Sequence, residues 1–203
     1  MIGLWRNAAL AAVVVVCGAG PASAQTAAPK AAAPAKSAAP AKSAAPAAKP
    51  PSIGGAEPTL IGQFGSWGAY SASPGGKTVC FALARPTTSK TNPPNRPRDP
   101  AYAFVSTRPA EKVANEVSVM IGYQLKPGSE SSLEVGGARY AMYTQGDGLW
   151  LKNAAEEERL VDALRKGADV TVKGVSARGT ETTDTFTLKG LAQALDKVAQ
   201  TCR

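Results

Sequence analysis

The stretch Val113-Ala114-Asn115-Glu116-Val117-Ser118-Val119-Met120-Ile121-Gly122-Tyr123-Gln124-Leu125-Lys126 decides the fold class. Val113, Val117, Val119, Ile121, Tyr123 and Leu125 share one parity, while Glu116, Ser118, Gln124 and Lys126 occupy the other. Side chains along a strand point alternately to its two faces, so a period of two marks a strand with one face in a core and one in water. Working outward, shorter runs at 63–72, 77–84, 101–107, 132–135, 139–144, 148–152, 169–176 and 182–188 also read as strands. Turn formers stand between them: Pro74-Gly75-Gly76, Pro127-Gly128, Gly136-Gly137, Gly146-Asp147-Gly148 and Arg178-Gly179. Many short strands at such spacing predict a mainly β domain, a single antiparallel β-sandwich or partly closed barrel.

Two short helices interrupt the pattern. Asn153 with Glu156 three residues on is an N-cap signature, and Gly167 reads as the residue just past the helix end. Leu160, Val161 and Leu164 form its apolar face; Glu156, Glu157 and Glu158 crowd the first turns, where they complement the positive end of the helix dipole. The second helix is C-terminal, from about Leu191 to Thr201. Leu191, Leu195, Val198 and Cys202 fall on one stripe of it, so Cys202 faces the core.

The beginning of the chain states an address. Arg6 precedes the apolar run Ala8 to Cys17, too short to span a bilayer, and Gly20-Pro21 breaks that run ahead of Ala22-Ser23-Ala24. This reads as a secretory signal peptide over 1–24 with cleavage after Ala24, giving a periplasmic or secreted protein with no transmembrane span once mature. Val16 before Cys17 is not the small residue that lipidated leaders carry, so lipid attachment is not expected. Cys80 and Cys202 are then the two remaining cysteines in an oxidising compartment, and a single disulfide between them is the economical pairing.

The tether is assigned to residues 25–56; within it the composition from Thr26 to Pro51 collapses to Ala, Pro, Lys and Ser, with hexads at Ala32–Ser37 and Ala38–Ser43 and an altered copy from Ala44 to Lys49. Proline at this period excludes a stable helix, and nothing large and apolar is present to offset ordering entropy. The stretch reads as a disordered tether reaching at most about 80 Å at ~3.1 Å per residue. Residues 57–203 are left for one folded domain.

The chain carries 23 Lys and Arg against 15 Asp and Glu, a net charge of +8. Setting aside Arg6, Lys30, Lys36, Lys42 and Lys49 leaves 18 against 15, so the folded part is only about +3. Nucleic acid is therefore not an expected partner. The spaced lysines of the tether suit an anionic envelope component, cell wall or lipid head groups, through a field screened beyond ~8–10 Å.

No histidine occurs anywhere, which removes Ser-His and Cys-His nucleophilic catalysis and the commonest metal ligand. No serine has lysine three positions on, and no phosphate-binding loop, dinucleotide fingerprint or EF-hand loop is found. A two-carboxylate glycosidase needs only paired acids. Glu134, Asp147 and Asp184 qualify, but they lie in or beside turns with nothing that groups them. The expectation is a non-enzyme with no cofactor and no metal. Two features point instead to binding. The segment Arg85–Pro100, RPTTSKTNPPNRPRDP, is a proline-stiffened connection carrying Arg85, Lys90, Arg96 and Arg98. Arg178 stands in the turn Ser176-Ala177-Arg178-Gly179-Thr180, placed either to pair with Asp184 across the strands or to receive a carboxylate or phosphate.

Phe64-Gly65-Ser66-Trp67, Ser106-Thr107-Arg108-Pro109, Asn115-Glu116-Val117-Ser118 and Ile121-Gly122-Tyr123 are similar to blocks of the invasion-associated locus B family. So are Gly146-Asp147 before Trp150, Leu160-Val161 to Gly167, and above all Ser176 to Thr180 with Thr183-Asp184 and the terminal cysteine. The resemblance runs over about residues 60–202 and implies a secreted or periplasmic bacterial β-sandwich-like domain without established enzymatic activity. It also implies a second kind of partner, a host-surface protein, because founding members are linked to entry into host cells. Many members carry a cysteine shortly after the tryptophan, where Tyr70-Ser71-Ala72 stands here, and that departure supports a single Cys80–Cys202 bridge.

Overall fold

The computed structural model of the chain describes residues 50–203; the expected leader and the expected tether up to residue 49 lie outside the described residues. The strands are β1 (Thr59–Phe64), β2 (Trp67–Ala72), β3 (Val79–Ala84), β4 (Thr88–Asn92), β5 (Tyr102–Arg108), β6 (Val113–Met120), β7 (Ser131–Val135), β8 (Ala138–Gln145), β9 (Gly148–Leu151), β10 (Asp169–Val175) and β11 (Glu181–Thr187). Helix α1 (Glu157–Lys166) follows β9, and α2 (Leu191–Thr201) ends the fold. All eleven strands join one antiparallel sheet in the order β1-β2-β3-β5-β6-β9-β8-β7-β10-β11-β4, unclosed, with β1 and β4 at its edges.

The connection from β3 to β4 forces this sheet to curl. The two strands lie eight positions apart in the order, about 38 Å at ~4.8 Å per strand in a flat sheet. Ala84 and Thr88 are only four Cα steps apart, at most about 15 Å. The sheet therefore wraps round until its last strand comes near its third. The indole Nε1 of Trp67 on β2 donates to the Thr187 carbonyl on β11 at 2.8 Å and ties the two ends together.

Inside the curl lies one core drawn from both halves of the sheet and both helices, including Val105, Val119, Ile121, Leu149, Val172 and Phe186. Helix α2 contributes Leu191, Ala194, Leu195 and Val198, all buried, and packs on β1, β2 and β3. Its stripe continues into Cys202, which is bonded to Cys80 of β3 with 5.9 Å between Cα atoms. A second cluster lies on the other face of β2, β3 and β5. Tyr70, Phe81, Leu83 and Phe104 are buried there, with Ile53 packed against them. Strand β3 is consequently buried on both sides. Ile53 belongs to a tight turn in which its N–H and carbonyl each bond Ala56 at 2.9 Å, between the Ala/Pro/Lys/Ser tract that ends at Pro51 and the boundary at 56 assigned to the tether.

Three sequence expectations are corrected. The run 63–72 is a hairpin, not one strand; the chain turns at Gly65-Ser66. The alternating stretch 113–126 stops pairing as a strand at Met120. Gly122 has φ +77, and a Cβ there would collide with the Asp99 carbonyl, so the chain bends where the pattern alone runs straight on. The Arg85–Pro100 segment contains the edge strand β4, because its prolines flank Thr88–Asn92 and leave every ladder donor intact. Gly167 does end α1, as its place in the sequence predicts, with φ −74. Glycine suits that position through close packing, since a Cβ would stand 2.8 Å from Leu188 Cδ1 and 2.9 Å from Val135 Cγ2.

Candidate functional site

Strands β4, β10 and β11 and the segment after β6 meet at one end of the curled sheet. Leu125 bridges Ser176, Ala177 N–H donates to the Gln124 carbonyl at 2.9 Å, and Asn92 pairs with Glu181. A groove of ≈ 630 Å³ opens there. The segment 93–98 and the turn 176–180 line it, with Tyr123, Gln124 and Thr182 between them.

Asp184 organises the site. It shares the inward parity of β11 with Thr182 and Phe186 and is fully buried. A lone buried carboxylate is costly, and Arg98 supplies its counter-charge in a two-pronged pair: Nη1 donates to Oδ2 at 2.8 Å and Nη2 to Oδ1. The same guanidinium donates to the Ile121 carbonyl at 2.9 Å and to Ser89 Oγ at 3.0 Å. One arginine thus fastens the edge strand β4 and the chain after β6 to β11. Beside it, Tyr123 Oη and Thr182 Oγ1 are 2.6 Å apart. Burial pushes the Tyr123 phenol above the ordinary tyrosine range.

The opposite side of the groove is a three-residue hairpin loop. Ser176 and Thr180 close it, Gly179 N–H returns to the Ser176 carbonyl at 2.8 Å, and Ser176 Oγ accepts Thr180 N–H at 3.0 Å. Gly179 takes the left-handed position that such loops require (φ +81). Arg178 is exposed at the tip, and Arg96 is exposed in the 93–98 segment. Arg96 N–H is held by Thr91 Oγ1 at 3.2 Å, but among the described residues neither of these two guanidiniums has an ion-pair or hydrogen-bond partner. With Arg98 neutralised by Asp184, the lining keeps two uncompensated positive charges.

Of the sequence candidates, then, Arg96, Arg98 and Arg178 line one groove. Arg85 does not: it lies over the Tyr102 ring, 5.6 Å from its centroid. Lys90 is exposed on β4 opposite Thr183, outside the groove lining. The pairing of Arg178 with Asp184 does not form. Arg178 sits in the exposed turn, whereas Asp184 points into the interior, where Arg98 reaches it.

Tyr123 and Thr182 were missed as groove residues, because in sequence they read as ordinary members of alternating strands. A second polar centre was missed as well. Arg108 Nε donates to Glu111 Oε2 at 2.7 Å, and its two terminal nitrogens clamp Glu116 at 3.0 and 2.8 Å. These partners raise the guanidinium further above its ordinary value. Glu157 of α1 was expected to act on the helix dipole; it accepts Val117 N–H at 2.7 Å and so fastens α1 to β6. Burial holds its carboxyl above the usual range.

The three carboxylates that a glycosidase reading would use stand on separate elements. Glu134 on β7 is engaged by Lys173 at 3.1 Å, Asp147 lies in the β8–β9 turn, and Asp184 is held by Arg98. Among the described residues no three His, Cys, Asp or Glu side chains converge as metal ligands. Nor is any described helix long and apolar enough to cross a membrane.

Comparison with known proteins identifies one family. Residues 67–199 match the model described as Invasion associated locus B (IalB) protein. The match begins at β2 and closes just short of Cys202, and it takes in the Arg108 centre, the Arg98–Asp184 pair and the 176–180 turn. No curated protein and no solved structure matches the chain.

Proposed function

Since the chain belongs to the invasion associated locus B family, we propose that it is an exported, non-catalytic binding module of the bacterial envelope. In this reading the leader delivers the chain to the periplasm or beyond, the Ala/Pro/Lys stretch is a spacer, and the folded domain carries the recognition surface. The observation that carries it is the groove at the end of the sheet: concave, walled by two braced segments, and left with positive charge at Arg96 and Arg178. The buried carboxylate beside it, Asp184, is ion-paired with Arg98, which supports a structural role for that acid. The Cys80–Cys202 bond agrees with an oxidising compartment.

Cell fractionation followed by binding to purified cell wall and to anionic vesicles tests this reading. The expected result is the chain in periplasmic or extracellular fractions, retained on one of these materials and released by raised salt. Deleting residues 26–51 separates a tail that binds from a tail that only spaces. A chain confined to the cytoplasm, or one retained on neither material, overturns the reading. The family description favours a second reading, a released or surface-displayed factor that meets host cells. Protein found only in periplasmic extracts argues against that reading.

A further inference from the structure

We propose that the groove is an oxyanion site in which Arg96 and Arg178, from two separate segments, clamp a phosphate or carboxylate group; this rests on the binding-module reading above and names its ligand class. Exposed arginines are common, and four features set these two apart. First, they line the same concavity although 82 residues separate them in sequence. Second, each stands on a braced support: Pro93 and Pro97 flank Arg96 and Arg98 anchors its segment, while Ser176 Oγ and the Gln124 carbonyl hold the turn of Arg178. With the backbone already held, only the two arginine side chains remain to be ordered when a ligand arrives. Third, Asp184 neutralises Arg98 and no other, so the positive potential in the groove comes from Arg96 and Arg178. Fourth, ≈ 630 Å³ suits a small anionic solute or one head group of a larger molecule.

The lining chemistry fits the same class. Guanidinium forks match the planar or tetrahedral oxygens of carboxylate and phosphate, which lysine ammonium groups do less specifically. Thr91, Ser176 and Thr180 border the groove with hydroxyls, and Gln124 adds an amide. Thr91 and Ser176 each already accept a backbone N–H, which leaves the hydroxyl proton free to be donated to an anion. A neutral apolar ligand would leave two guanidiniums facing it without partners.

The test is titration calorimetry on the full chain lacking only its leader, at low ionic strength, with three probes: sodium phosphate, a triglutamate peptide and phosphatidylglycerol vesicles. At least one probe is expected to bind saturably, and Arg96→Ala and Arg178→Ala are each expected to weaken that binding by about tenfold or more. Neither variant should shift the unfolding midpoint, because both side chains are exposed and unpaired. The arms identify the source of the anion: phosphate marks a phosphoryl group, triglutamate a carboxylate, and substitution-sensitive vesicle binding a lipid head group. No saturable binding to any probe, or binding that both substitutions leave unchanged, overturns the oxyanion site. Envelope retention that survives both substitutions removes the groove from the account while leaving the envelope reading standing.

Discussion

Removing Arg98 alone should damage the fold far more than removing it together with Asp184. The Asp184 side chain is fully buried, and Arg98 is 11% exposed. Arg98→Met leaves a carboxylate with no counter-charge, a loss of about 3–5 kcal/mol. In a domain of this size that lowers the thermal midpoint by roughly 6–20 °C. Joining Arg98→Met to Asp184→Leu removes both charges and fills the space with carbon. Such replacements are often neutral, so the double variant should lie within about 1–2 kcal/mol of the parent. The assay is urea unfolding of the four members of the cycle with the disulfide intact, comparing midpoints at constant slope. An Arg98→Met variant that loses less than about 1 kcal/mol would refute the reasoning, because Asp184 would then not depend on its partner.

Cys202→Ser should cost about 2–4 kcal/mol, since the bond spans 122 residues and pins α2 to β3; urea unfolding of the variant beside reduced parent checks it. Gly122→Ala should destabilise by at least ~2 kcal/mol, because it demands an unfavourable positive φ and drives a Cβ into the Asp99 carbonyl; the loss reads out as a lowered melting temperature. Glu157→Ala should cost about 1–3 kcal/mol by stranding Val117 N–H, whereas Glu157→Gln keeps an acceptor and should cost little. The native carboxyl of Glu157 titrates above its unfolded value, so its ionisation destabilises the fold as pH rises from the ordinary carboxylate value, about 4.3, through the raised native one. Glu157→Gln should therefore flatten the stability–pH curve in that window, measured by unfolding at a series of pH values.

Much of the architecture was legible because it rests on short-range regularities. The period of two in Val117, Val119 and Ile121 and the stripe Leu191–Leu195–Val198–Cys202 act locally, and the structure reproduces both; Asn153 caps only the short 3-10 turn Ala154–Glu156 that leads into α1, whose own cap position is Glu156. The stripe carried unusual information, since it placed Cys202 on the core side where Cys80 meets it. What failed to show was whatever depends on how distant segments meet. The threonine-rich run of β4 gives no hint that it will pair with β11, and without that pairing Arg98 cannot be assigned to Asp184. Arg178 was the nearer basic residue in sequence, and proximity along the chain pointed to the wrong partner. Arg96 and Arg178 stood out only as separate basic residues; the curl of the sheet brings them together. The motifs that resemble the family serve mostly to hold the fold: Arg108 and Glu116 form one ion-paired centre, Asp184 half of another, and Trp67 ties the two ends of the sheet.

The most direct measurement is a map of where an anion lands. Amide chemical shifts of the isotope-labelled chain, followed during titration with sodium phosphate and, separately, with triglutamate, should for whichever anion binds move in one cluster at 93–98, 123–124 and 176–182 and saturate together. Shifts that gather instead on the lysine-bearing tail or on the Arg85–Tyr102 face, with those residues unmoved, would contradict the assignment of recognition to the end of the sheet.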